Sequence, residues 1–245
     1  MIEKAISSLK AGKPLLIFDS KDREGETDIV FPSQFINSDI IRFMRKMGGG
    51  LICTTLKEAD ARRIGLPFIE DFFRQHLDFN HKVFDNSDLR YDRNSSFSVT
   101  INHRNTFTGI PDRDRSLTIA SFANFLGRLS QFDGNVQEEF SREFRIPGHV
   151  ILIIARDGYF EKRRGHTELS TYLVERAGLI PSATIVEMLD DSGYSLPENK
   201  ARKFAAENSL TFIEGEDIIA SWLNDKGNGY GGLRHIASGT HSLSY

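Results

Sequence analysis

In "PLLIFDSKDREGETDIVF", residues 14–31, two apolar runs flank the segment Asp22–Asp28, which carries four carboxylates. "PLLIF" and "DIVF" both read as short strands, so an acidic turn has to connect them. If residues 24–28 are extended, Glu24, Glu26 and Asp28 share one face, because strand side chains alternate. Three carboxylates on one face repel unless a cation or a proton compensates. Arg23 supplies one positive charge, and hard oxygen ligands suit a divalent ion such as Mg²⁺. A calcium loop does not fit: counted from Asp19, positions three and five are Lys21 and Arg23, and the required glycine comes one residue late. Spacing alone leaves two readings open, a solvated hairpin tip or one wall of a cation site.

Along the rest of the chain, helices and strands interleave. Helices are expected over "IEKAISSLKAG", "SDIIRFMRKM" behind a Ser/Asp cap, "KEADARRIG", "DRSLTIASFANFLGRL", "TELSTYLVERAG" with Thr167 as cap, "PENKARKFAAENS" and "GEDIIASWLND". Strands are expected over "LICTTL", "SSFSVTINH", "HVILIIA" and "ATIVEML". Residues 66–94 carry no clear periodicity. No linker divides the chain and no repeat is visible. The pattern predicts an α+β fold, a single domain with a mixed, mostly antiparallel sheet surrounded by helices over residues 1–226. Residues 227–245 read as a Gly/Ser-rich tail.

Composition narrows the class. A net charge of −3 gives no basic stripe for nucleic acid. No apolar run reaches the length of a membrane span, and the first residues do not read as a signal peptide. Cys53 is the one cysteine, so no internal disulfide can form and a reducing cytoplasm is expected. It reads as a small buried residue.

Several further stretches carry chemistry. In "KRRGHTEL", from Lys162, a basic loop runs into a helix start, where backbone N–H groups attract anions. Arg163, Arg164 and Thr167 add donors, and His166 beside them can bind a metal. A basic surface loop with an ordinary cap is the plainer alternative. His149 follows Pro-Gly at the start of an apolar strand, as either a structural or a catalytic group. Glu187 lies inside the apolar "ATIVEML"; it points either into a pocket with Ile185 or to solvent, with Val186 and Met188 inward. "TFTGIPDRDR" places Thr108 and Gly109 in a turn.

In register, "DREGETD", "GGGLICTTL", "SFSVTINHRNTFTGIPDRDR", "FRIPGHV", "RRGHTEL" and "VEM" resemble the 3,4-dihydroxy-2-butanone 4-phosphate synthase family of riboflavin biosynthesis, with "DREGETD" similar to its archaeal version. The resemblance runs to about residue 224. It implies a lyase that converts D-ribulose 5-phosphate to L-3,4-dihydroxy-2-butanone 4-phosphate and formate. It also implies Mg²⁺, with Mn²⁺ as the alternative, and a homodimer with active sites at the subunit interface. Glu24 and His166 would then be metal ligands. Arg23, Asp28, Thr108, Arg163, Gly165 and Thr167 would bind substrate, and His149 and Glu187 would be catalytic. Glu26 and Cys53 lie in matching motifs without an assigned role. Rival readings are another metal-dependent sugar-phosphate isomerase or aldolase, and a nucleotide- or RNA-binding module of related fold.

Overall fold

The acidic stretch joins two paired strands. In the computed structural model, which describes residues 1–227 apart from 79, 80, 90, 93 and 133, β1 (Leu15–Phe18) and β2 (Thr27–Pro32) run antiparallel. β3 (Cys53–Lys57), β4 (Phe97–His103), β5 (Phe144–Ala155), β6 (Ala183–Glu187) and β7 (Thr211–Glu214) complete the sheet in the order β4-β5-β3-β6-β2-β1-β7. β3–β5 and β1–β7 are parallel and the other four pairings antiparallel, as expected for a mixed sheet.

Helices cover both faces: α1 (Ile2–Lys10), α2 (Ser38–Met47), α3 (Glu58–Ile64), α4 (Ile69–His76), α5 (Asp112–Gly127), α6 (Val136–Glu143), α7 (His166–Arg176), α8 (Glu198–Glu207) and α9 (Gly215–Gly227). Strand side chains alternate between two cores. Leu16, Ile29, Leu56, Leu152 and Val186 pack on Ile41, Met44, Ile119, Phe122, Phe125 and Phe140 of α2, α5 and α6. Leu15, Ile17, Val30, Cys53, Ile153 and Ile185 pack on Leu9, Leu169, Leu173 and Ile218 of α1, α7 and α9. A strand covered on both faces needs no polar alternation, which explains the unbroken "LLIF" and makes Asp28, 1% exposed within β2, conspicuous.

Local expectations need four corrections. The cap of α2 is Asn37, whose side chain accepts from Asp39 and Ile40 N–H, rather than the Ser/Asp pair after it. α7 begins at His166 behind Gly165, so Thr167 is not its cap. β5 begins at Phe144, five residues before His149. α6 and β7 were not expected: α6 buries only Val136 and Phe140, and β7 is four residues long, so neither carries enough periodicity to register. Residues 228–245 of the Gly/Ser-rich tail lie outside the described residues.

Candidate active site

The turn after β1 is organised by Asp19. Its carboxylate accepts the N–H groups of Glu24 (3.1 Å) and Glu26 (3.0 Å) and the Arg23 guanidinium (3.0 Å). These bonds fold the acidic run back over the end of the sheet. They also separate its members. Glu24 turns inward and Glu26 binds Ser195, away from the cleft.

His166 opens α7 directly beneath this turn. Its Nε2 faces the Ile17 carbonyl at 3.2 Å, so Nε2 holds the proton and Nδ1 is left toward Glu24 (3.5 Å) and Asp28 (3.7 Å). α7 is held to the sheet by the Thr171 hydroxyl on Thr55 (2.8 Å). Burial opposes charge on His166, but Asp28, the Glu24 hydrogen bond and Asp19 outweigh it and raise the imidazole to about 9. Burial would also raise Glu24, yet the His166 hydrogen bond and the Arg23 charge hold it at about 2. Asp28 goes the other way. Burial pushes it up to about 8, and one of its oxygens has no partner.

These groups line a cleft of about 310 Å³ with Glu187, Thr167 and Arg163, floored by Cys53, Ile153 and Ile185. Glu187 shares the Ile185 face, opposite Asp28 in the β2–β6 register, while Val186 and Met188 turn into the other core. Its Oε2 accepts the Leu51 N–H at 2.8 Å, and burial raises its carboxyl. Burial raises the Cys53 thiol as well, so Cys53 is part of an apolar floor rather than a thiolate.

Ligand atoms of Asp19, Glu24 and His166 lie within 4.8 Å of one another. Asp19 is committed to the turn; Glu24 Oε2, which also accepts Arg23 at 2.6 Å, converges with His166 Nδ1 and the unpartnered Asp28 oxygen. Two carboxylates and one imidazole, buried and closely spaced, fit a hard divalent cation once Asp28 and His166 give up their protons.

Beside this cluster is an anion position. Arg23 and Arg163 both reach the Asp92 carboxylate, at 2.5 and 3.0 Å, above the α7 N-terminus. Gly165 makes that approach fit: a Cβ there would lie 2.1 Å from Arg163 Nη1 and 2.7 Å from Arg23 Nη2. Glu168, fully buried, holds Arg163 from below at 2.8 Å. Arg164 is exposed and faces a neighbouring cleft with Ser20 and Lys162.

His149 and Thr108 are not among the residues lining this cleft. Ile101 pairs with Val150 and Asn102 with Arg145, so residues 146–149 bulge out of β5. The bulge leaves His149 exposed beside Asn102 and the Thr108 turn. Phe107 (96% exposed), Ile110 and Ile146 surround that edge.

Four further residues shape the site: Asp19, Asp92, Asn102 and Glu168. Three lie within or beside the motifs singled out above, and Glu168 falls inside "RRGHTEL" itself. Asp92 stands in residues 66–94, where nothing marks it in sequence.

A mixed sheet between helical layers, with a carboxylate–imidazole cluster beside a pair of arginines, fits a metal-dependent enzyme of small phosphorylated substrates. The sequence profile described as 3,4-dihydroxy-2-butanone 4-phosphate synthase matches residues 3–221. The synthase of Archaeoglobus fulgidus is 42% identical over 221 residues, covering 89% of this chain and 92% of the relative. That of Methanosarcina mazei is 40% identical over 227 residues, covering 91% of each. A solved synthase in complex with two magnesium ions superposes with TM-score 0.73 at 26% identity, over 93% of this chain and 98% of that one. The chain belongs to the 3,4-dihydroxy-2-butanone 4-phosphate synthase family and is therefore a lyase of riboflavin biosynthesis.

Proposed function

We propose that the chain converts D-ribulose 5-phosphate to L-3,4-dihydroxy-2-butanone 4-phosphate and formate, with Mg²⁺ (or Mn²⁺) held by Glu24 and His166. The observation that carries this reading is the juxtaposition of a buried carboxylate–imidazole cluster and a paired-arginine anion position, in adjoining clefts that share Asp92 and Arg163. A sugar phosphate presents both partners, hydroxyl and carbonyl oxygens at one end and a dianion at the other.

When bound, the cation supplies Lewis-acid stabilisation of charge on substrate oxygens. The chain's own groups do the rest. Arg23, Arg163, Thr167 and the Gly165 end of α7 anchor the phosphate, which does not react. Asp28 orients the substrate from the sheet. Glu187, made more basic by burial, takes and returns a proton at its carboxyl.

His149 and Thr108 reach a substrate through a second copy of the chain. The exposed Phe107, Ile110 and Ile146 beside them give that edge the apolar character of an interface, and we read the protein as a homodimer whose sites lie between subunits. No helix among the described residues is long and apolar enough to cross a membrane; the cytoplasm is the compartment that the single buried thiol suits. The deciding experiment incubates the purified protein with ribulose 5-phosphate and Mg²⁺ and measures formate and the four-carbon phosphate. Turnover without formate would point to isomerase or aldolase chemistry instead.

A further inference from the structure

We infer that Asn102 is a positioning residue that fixes the proton of His149 on Nε2, so that His149 meets substrate as a hydrogen-bond donor and not as a base. This rests on the reading above that His149 faces a substrate.

The orientation of the Asn102 amide is set by two backbone groups. The His149 N–H donates to Oδ1 at 2.9 Å, so that atom must be the oxygen. Nδ2 faces the Thr108 carbonyl at 3.2 Å, which only a donor satisfies. Both constraints agree, and a flipped amide would violate both. The remaining Nδ2 hydrogen points at His149 Nδ1, 3.0 Å away. Nδ1 must therefore accept, and the neutral ring carries its proton on Nε2.

The surroundings are built for this arrangement. Asn102 is 5% exposed, so its amide has little water to exchange with. Asp114 accepts the N–H groups of Thr108 (3.0 Å) and Gly109 (2.8 Å), which pins the turn that presents the Thr108 carbonyl. Gly109, at φ +110°, lies against the pair: a Cβ there would come within 2.5 Å of Asn102 Nδ2 and His149 Nδ1. The bulge leaves the ring exposed, and Nε2 has no partner among the described residues. With its lone pair committed to Asn102, the ring offers a ligand one function, an N–H aimed at an oxygen. A neutral imidazole in that role stabilises negative charge on a carbonyl or enediolate oxygen. Proton abstraction then falls to Glu187.

The test is long-range ¹H–¹⁵N correlation spectroscopy on the ¹⁵N-labelled full chain, with the His149 signals assigned through their loss in His149→Gln. The expected pattern is an unprotonated Nδ1 and a protonated Nε2. Asn102→Asp, whose carboxylate can only accept, should move the proton to Nδ1 and lower kcat by about a hundredfold, with KM changed far less. Asn102→Ala should leave both tautomers populated. A proton on Nδ1 in the unmodified protein overturns the inference, as does Asn102→Asp with a reversed tautomer and undiminished kcat. A purely structural role for Asn102 would alter Tm without reversing the tautomer. If the unmodified protein releases no formate, the functional reading fails, while the tautomer pattern still decides the role of Asn102.

Discussion

Asp92 puts a carboxylate where a substrate phosphate is expected, between Arg23 and Arg163. A charge-assisted contact of this kind is worth about 1.5–3 kcal/mol. Asp92→Asn should therefore tighten binding of inorganic phosphate by about tenfold, read by calorimetry; unchanged affinity would show that the carboxylate does not compete. Protons compete in the same way at the cation cluster. His166 is raised to about 9 and Asp28 to about 8 in the metal-free protein, and each must lose its proton to face a cation. Affinity for Mg²⁺ should rise from about pH 6 to pH 9 with release of protons, seen as a buffer-dependent binding enthalpy. Binding that is insensitive to pH would remove His166 and Asp28 from the cation cluster. At this scale, Glu24, Asp28, Arg163, His166 and Glu187 are legible in the sequence because each breaks a local rule: charge inside an apolar run, or a basic loop at a helix start. Asp19, Asn102 and Asp92 are not, because an ordinary turn aspartate, strand asparagine or loop aspartate takes its role from partners that only the fold supplies.

Among the elements, α7 sets the most. Its first nine residues are buried, so its polar side chains have to be answered inside the protein. Glu168 is the costly one. Burial raises its carboxyl, and Arg163 is its main counter-charge. Glu168→Gln should leave a folded protein that is less stable by about 1–3 kcal/mol, with a raised KM as Arg163 loses its support; an unchanged KM would confine Glu168 to stability. The opposite face depends on aromatic packing. Phe122, Phe125, Phe140 and Phe144 meet with ring centroids 4.9–6.4 Å apart. Phe122→Ala should cost about 3–5 kcal/mol, seen as a lower denaturant midpoint. Long helices and apolar strands are readable from periodicity. The bulge before His149 is not, because it arises from a register shift between β4 and β5 that neither segment encodes alone.

For the whole molecule, the separation of His149 and Thr108 from the cleft makes a prediction about pairs of chains. Glu24→Ala and His149→Ala should each be inactive, and a refolded mixture should regain formate release through hybrid dimers with one intact site. A mixture that stays inactive would place both residues in one subunit's site. The fold class is legible because interleaved elements without a linker leave few architectures. The sheet order is not, since β6 inserts between β3 and β2 after more than half of the chain has passed. That insertion dictates timing. Asp28 lies opposite Glu187, and β7 closes on β1, so the earliest strands wait for the latest. A nascent chain on the ribosome exposes the apolar flanks of "DREGETD" until β6 and β7 have been made. No chain stalled before residue 187 carries both Asp28 and Glu187, so the cleft cannot close until β6 has left the ribosome and joined β2.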